Sequence, residues 1–246
     1  MIPLKSPADI KIMKAGGRRL AKVMQKMLAA VKPETTLLAI EQIADAEIKR
    51  LGGAPSFKKV PGYRWATCLN INEGVVHGIP SNYRLAAADV LSLDVGMLYR
   101  GFHTDMSTTV AVSGAGGKFL AVGKTALKKA VEAAKAGNYV AQISLAMEKE
   151  IRQAGFSPVE ALTGHGVGKK LHEEPAIPCF WQAEVADSPR LQVGMVLAIE
   201  VIYAQGLPEV VLDQDNWTIE TADGKPAGLF EQTVAVTAKG PVILTA

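Results

Sequence analysis

The chain has 246 residues and a net charge of +3, with 27 Lys and Arg against 24 Asp and Glu. Its basic residues are scattered as short pairs such as Lys58-Lys59, Lys128-Lys129 and Lys169-Lys170, which argues against nucleic acid as the main ligand. Two cysteines, Cys68 and Cys179, without a CxxC argue against a disulfide framework or a zinc knuckle. With no signal-type or membrane-spanning apolar run, the expectation is a cytoplasmic protein.

Ser6-Pro7-Ala8-Asp9 reads as a helix start, a capping Ser followed by Pro at the first helical position. Ile10, Met13, Leu20, Val23, Met24, Met27, Leu28 and Val31 follow near helical spacing, interrupted at Gly16-Gly17, and Lys32-Pro33 ends the run. The Met residues in it read as core filler. Thr35 or Thr36 caps a second helix with Ile40, Ile43, Ala44, Ile48 and Leu51 on its buried stripe, stopped by Gly52-Gly53. Phe57 to Pro80 reads as loops and short strands, with TCLNI as one strand.

The stretch LSLDVGMLYRGFHTDMSTTVAV, Leu91–Val112, reads as two strands around a turn at Gly101. A hairpin turning at Tyr99-Arg100 pairs Leu98 with Gly101 and sets Asp94 directly opposite Asp105. Cross-strand neighbours on one face have Cβ atoms about 4.5–5.5 Å apart, and two like charges at that separation are destabilising. Neither strand carries a Lys or Arg beside the pair, so a metal cation is one answer. The other is two exposed aspartates on a solvent-facing hairpin. His103, beside Asp105, is expected to point to the opposite face and is given no role.

Gly116-Gly117 leads into a helix over Lys118–Ala136, and another runs from Val140 to Ala154, stopped by Gly155. LLAIEQIADAEIKRLG and VAQISLAMEKEIRQAG align at Ile40/Ile143, Glu47/Glu150, Ile48/Ile151, Lys49/Arg152 and Gly52/Gly155, and each half goes on to a His-Gly, His77-Gly78 and His165-Gly166. The expectation is an α+β fold of two helix–helix–sheet halves about a pseudo-twofold axis, with a cleft where the sheets meet. The remaining strands are placed around Met195–Tyr203, Trp217–Glu220 and Leu229–Val236. No linker divides the chain, so residues 1–246 are expected to form one catalytic domain.

Glu200 in MVLAIEV and Glu231 in LFEQTVAV lie inside apolar strands, where a charge is costly unless paired or coordinated. Each alone could be a surface-facing strand Glu, and His165 in TGHGVG a satisfied loop His. Together with Asp94 and Asp105 they make four carboxylates and an imidazole, a donor set that suits a pair of Mn, Fe, Co or Zn ions. Two such ions sharing a water would turn it into a hydroxide nucleophile.

The chain resembles the type I methionine aminopeptidase family, which has the pita-bread fold. The resemblance runs over nearly the whole chain, through LKSPADIKIMKAGGRRLA, LNINEGVVHGIP, LSLDVG, GFHTDMSTT, GHGVGKKLHEEP, MVLAIE, and DNWTIET ahead of LFEQTVAVT. INEGVVHGIP and GFHTDMSTT are specific to that family, whereas GHGVGKKLHEEP and the spaced acids are shared with the Xaa-Pro peptidases. The resemblance implies metal ligation by Asp94, Asp105, His165, Glu200 and Glu231, with Asp105 and Glu231 bridging both ions and Asp94 chelating one. It implies that His77 donates near the scissile amide nitrogen, that His172 stabilises the oxyanion, and that Glu200 moves a proton to the leaving amine. It points to Tyr63, Cys68, Leu171 and Trp217 as the lining of a methionine pocket, with Phe57 near its entry; Cys68 and Trp217 could equally be core.

The implied activity is hydrolytic removal of an initiator Met from a peptide or nascent polypeptide with a free amine, by a monomer, with the ribosome surface as a further candidate partner. An Xaa-Pro dipeptidase or aminopeptidase is the alternative, disfavoured by a first catalytic-domain helix that starts at Ser6. A non-catalytic pita-bread binding module is another, disfavoured because all five ligands are present. Two departures from the family pattern, Val201 for Pro and Gln232 for His, leave the ligands intact and are expected to alter the shell that orients them.

Overall fold

The computed structural model describes residues 2–114 and 116–246; Met1 and Ala115, which fall within the expected domain, lie outside the described residues. Helix α1 (Pro7–Ala30) starts as expected: Ser6 accepts from the Asp9 N–H, and the Asp9 carboxylate accepts from the Ser6 N–H at 2.9 Å. It passes unbroken through Gly16-Gly17, where the missing side chains let other chain segments approach closely. A Cβ on Gly17 would meet the Leu244 carbonyl and one on Gly16 the Tyr99 side chain. It ends at Ala30, ahead of Lys32-Pro33. Thr36, not Thr35, caps α2 (Leu37–Arg50). Gly52, just past its end, takes a positive φ of 77°.

The strands of the first half are β1 (Ala54–Pro55), β2 (Thr67–Ile71), β3 (Gly74–Val76), β4 (Val90–Tyr99) and β5 (Phe102–Ala111). Helices α3 (Gly117–Ala133) and α4 (Val140–Gln153) follow. The first of these ends three residues before the expected Ala136, where Ala134 leaves helical geometry (ψ 55°) and caps it. The second half continues with β6 (Ser157–Pro158), β7 (Thr163–Gly166), β8 (Glu173–Pro178), β9 (Val196–Ala204), β10 (Val210–Leu212), β11 (Ile219–Thr221), β12 (Ala227–Thr237) and β13 (Gly240–Ile243). Among the described residues, ten strands form one sheet with central order β4-β5-β12-β9, and β10-β11-β3 form a small second one.

The two halves are related residue by residue. Ala54-Pro55 pairs with Leu98-Met97 of β4, and Ser157-Pro158 pairs with Ala204-Tyr203 of β9. Asp94 lies opposite Ser107, and Glu200 lies opposite Glu231. The halves join at Ser107↔Glu231. The pseudo-twofold therefore carries Asp94 onto Glu200 and Ser107 onto Glu231. Each half buries its own apolar cluster, Leu20, Ile40, Ile48 and Leu93 in the first and Leu127, Ile143, Ile151 and Ile199 in the second.

The β4–β5 turn corrects the expected register. It is a two-residue turn at Arg100-Gly101, both with positive φ (48° and 84°), so Tyr99 pairs with Phe102 and Asp105 lies opposite Gly96. The slip is two residues, which preserves the face, so Asp94 and Asp105 are diagonal rather than direct neighbours. No helix among the described residues is long and apolar enough to cross a membrane.

Candidate metal centre and substrate cavity

Two adjacent lateral rows of the sheet carry the acidic and imidazole groups. The first crosses β2, β4, β5, β12 and β9 as Cys68, Asp94, Ser107, Glu231 and Glu200. The second lies two residues away and places Asp105 opposite Gly96 and His165 opposite Ala198. Gly96 has no side chain because Ser56 and Phe57 fill the space a Cβ would take. Asp94, Asp105, His165, Glu200 and Glu231 all line one cavity of about 160 Å³. Ligand-capable atoms of Asp105, His165 and Glu231 lie within 4.8 Å of one another, and His165 Nε2 is 3.9 Å from Glu200 Oε1.

Burial and crowding raise every carboxyl in the group. Asp105 is pushed up to about 7 by desolvation, and Glu200 to about 8 by desolvation and then the Asp105 charge. Asp94 and Glu231 are raised well above the carboxylate range by desolvation, then by their acidic neighbours. Desolvation and His172 lower His165 to about 4, so its imidazole is neutral near pH 7. Its Nδ1 is 2.9 Å from the Gly166 carbonyl, which can only accept, so the proton sits on Nδ1 and the Nε2 lone pair is free. Asp94 Oδ1 and Glu231 Oε1 are buried without a hydrogen-bond partner. No Lys or Arg lines the cavity among the described residues. Orphaned oxygens, raised carboxyls and a free imidazole lone pair fit divalent cations.

Two further histidines line the same cavity. His77 sits at a positive φ of 61° in a turn fixed by Gly78, whose N–H donates to Asn70 Oδ1 at 2.7 Å and whose Cβ position is filled by the Leu69 carbonyl. His172 packs edge-on against His165 with ring centroids 4.5 Å apart. Desolvation lowers both pKa values, with the His172 charge adding at His77. Phe57, Tyr63, Cys68, Leu171 and Trp217 supply the apolar wall. Tyr63 meets Trp217 edge-to-face at 5.1 Å and donates its hydroxyl to the Thr67 carbonyl at 2.8 Å. The cavity opens beside a groove of about 710 Å³ lined by Leu4, Phe102, Lys169, Lys170 and Ala176, and both include His165 and His172.

His103 departs from expectation. Two residues along a strand return to the same face, so it shares the Asp105 side. There it is buried, with Nδ1 2.9 Å from Ser56 Oγ. Val201 and Gln232 also differ: each follows a cavity residue and so takes the opposite face. Val201 is in the core under α3 and α4, and Gln232 lines a groove between α1 and α3.

Three supports carry no local sequence signal. Lys5 and Glu173 form a buried ion pair at 2.6 Å that ties the N-terminal segment to the loop bearing His172. Glu41 of α2 accepts from the Ala66 and Thr67 N–H groups at 2.7 and 3.0 Å, anchoring the strand of Cys68. Asn70 holds the His77 turn.

Comparisons with known proteins show the family and the fold. Residues 11–238 match the metallopeptidase family M24. The chain is 38% identical to methionine aminopeptidase 1 of Bacillus subtilis, covering 100% of this chain and 99% of that protein. It superposes on a methionine aminopeptidase from Thermotoga maritima with TM-score 0.96 and 34% identity, covering 100% and 99% of the two chains. A prolidase from Pyrococcus furiosus shares the fold at TM-score 0.79 and 22% identity, with 65% of that chain covered.

Proposed function

The chain belongs to metallopeptidase family M24, and we propose that it removes N-terminal methionine through the cavity at the β5–β12 seam. It is a metal-dependent methionyl aminopeptidase, a hydrolase that depends on divalent metal ions. The observation that carries the assignment to this cavity is its shape. A small space with one apolar wall and one acidic wall opens beside a much wider groove, with His165 and His172 common to both. One side chain fits the first, and the rest of a peptide leaves along the second.

In this reading Asp94, Asp105, His165, Glu200 and Glu231 hold two ions drawn from Mn, Fe, Co and Zn. When bound, such ions polarise the scissile carbonyl and lower the pKa of water toward neutrality. Phe57, Tyr63, Cys68, Leu171 and Trp217 receive the methionine side chain, a thioether against aromatic and sulfur groups. The free amine lies at the acidic wall, which restricts the reaction to the first residue of a chain. Glu200 accepts the proton of the attacking water and passes it to the leaving amine. His172, neutral near pH 7, donates an N–H to the developing oxyanion. His77 donates near the scissile nitrogen. The finer statements belong to the same proposal: a single catalytic domain over residues 1–246, a cytoplasmic monomer, and nascent chains met at the ribosome surface. The free, buried thiols of Cys68 and Cys179 fit the reducing compartment in this reading.

The test is one assay on metal-reconstituted protein with a Met-Gly-Met-Ala peptide, its N-acetylated copy and an Ala-Pro peptide. Cleavage of the first alone is expected. Cleavage of the acetylated copy would remove the role given to the free amine, and preference for the Ala-Pro peptide would move the chain to the prolidase side of the family.

A further inference from the structure

Main-chain pairing across the β5–β12 seam is limited to Ser107 with Glu231 and Met106 with Gln232. Two residues from Ser107 and Glu231, on either side, a threonine hydroxyl takes over. Thr233 Oγ1 accepts from the Asp105 N–H at 2.8 Å and donates to the Asp105 carbonyl at 2.8 Å. Thr109 Oγ1 treats Leu229 in the same way, accepting from its N–H and donating to its carbonyl, both at 2.8 Å. Thr109 spends its one proton on Leu229, so the 2.8 Å contact with Ser92 Oγ is a bond that Ser92 donates. Both threonines are fully buried.

The pseudo-twofold that exchanges Ser107 with Glu231 also exchanges these two staples. They match in length and burial; they differ in what they hold and in the extra bond that Thr109 accepts from Ser92. Leu229 is a core residue, whereas Asp105 lines the acidic wall. The row that contains Asp105 and His165 passes from the first half to the second through Thr233. Thr233 is in turn fixed by the C-terminal segment: its N–H donates to Thr245 Oγ1 at 3.2 Å, and its carbonyl accepts from the Leu244 N–H at 2.8 Å.

We propose that Thr233 is a positioning residue for the metal centre, its hydroxyl setting the Asp105 main chain and through it the Asp105 carboxylate, while Thr109 is an equivalent staple without that duty. Without the hydroxyl, the Asp105 N–H and carbonyl lose the partner that both use, at the point where the ladder has already parted. A carboxylate on a loosened strand no longer presents its oxygens at the separation the other ligands require, and outer partners of this kind set metal affinity by about 10- to 100-fold. The proposal rests on the reading of Asp105 as a ligand.

The experiment titrates Mn(II) into the metal-free full chain by calorimetry and records the visible spectrum of the Co(II)-loaded protein, for wild type, T233V, T233S, T109V and D105N. T233V and T109V each remove one hydroxyl from an equivalent place, and both are expected to lower Tm, T109V the more because it also leaves the buried Ser92 hydroxyl without its acceptor. Only T233V should weaken Mn(II) binding, by about tenfold or more, and alter the Co(II) bands. T233S should restore both, and T109V should bind within about twofold of wild type. Wild-type affinity in T233V, or equal weakening in T109V, overturns the proposal. If T233V does not fold, T233C carries a weaker partner of similar size and should bind between Ser and wild-type strength on one side and complete loss on the other; wild-type affinity there overturns the proposal equally. If D105N keeps the wild-type constant, the ligand assignment falls and the proposal with it. If D105N loses the ion while T233V retains it, only the proposal falls.

Discussion

The two halves of the molecule share a scaffold and divide a chemistry. Helices Leu37–Arg50 and Val140–Gln153 occupy equivalent places, each followed by a glycine with positive φ and then by a two-residue strand ending in Pro. At the seam the equivalence is kept at one position and broken at two. Asp94 and Glu200 are both acids, but Glu231 faces a serine, Ser107, and Asp105 corresponds to Leu229. The first half brings two of the five candidate ligands, and the second brings three. On the proposed ligation neither half holds the full set alone, so the centre would require the halves to remain docked. Duplication supplies a rigid, two-sided frame, and the departures from symmetry supply the site.

The strongest way to break this division is to remove one acid from each half. Asp94→Asn and Glu231→Gln should each drop turnover to background with the circular dichroism spectrum unchanged, and metal analysis should show lost ion. Wild-type rate and metal content in either variant would refute the ligand set. His172→Ala comes next, lowering kcat by about 10²-fold or more at unchanged metal content; an undiminished kcat would remove its oxyanion role.

The pH dependence of the metal-free chain is smaller and has a definite sign. A carboxyl raised in the folded state keeps its proton after the unfolded chain has lost it, so stability falls as pH rises from the unfolded pKa near 4 to the folded value. The histidines are lowered in the folded state and act oppositely, adding stability as pH rises toward their ordinary 6.5. Above about 6.5 only the acids act. With Asp105 near 7 and Glu200 near 8, the unfolding free energy of the metal-free protein should fall from pH 6.5 to 8, by up to about 1.4 kcal/mol per pH unit for each group, and its Tm with it. Bound divalent metal should abolish the fall. A flat or rising Tm in metal-free protein would contradict the buried, crowded acids.

The smallest effect sharpens the comparison from the outside. Lys49 pairs with Asp45 at 2.6 Å and Arg152 with Glu148 at 2.7 Å, at equivalent helix positions and with exposed basic side chains. Lys49→Ala and Arg152→Ala should each cost no more than about 0.5 kcal/mol, measured by urea unfolding. A larger loss on one side only would show that the scaffold itself is unequal.

Much of this was legible in the sequence where the signal was local. Ser6, Pro7 and Asp9 announce the first helix because capping acts over three residues. Glu200 and Glu231 stand out because an acid inside an apolar strand is expensive. The register of the hairpin was not legible: Arg100 occupies a left-handed position that Asn or Asp more often marks, so the turn reads one residue early. The face of His103 follows from counting by two along the strand. Lys5, Glu41, Asn70 and Thr233 were invisible because each acts on a residue at least eight positions away, most of them through a backbone atom. No spacing rule reaches a partner that only the fold brings near.

The ends of the chain add a consequence in time. Lys5 donates its main-chain N–H to Gly194 in the second half, while the Leu244 carbonyl presses on Gly17 of the first helix. Each terminus is therefore clasped by the opposite part of the molecule. Helix α1 packs on α2, β4 and β5 of its own half, but its contact with Leu244 waits on a segment far later in the chain, and contacts of such long sequence separation form late and slowly. An enzyme that acts on the first-made residue of other chains finishes packing its own first helix only when Leu244 arrives.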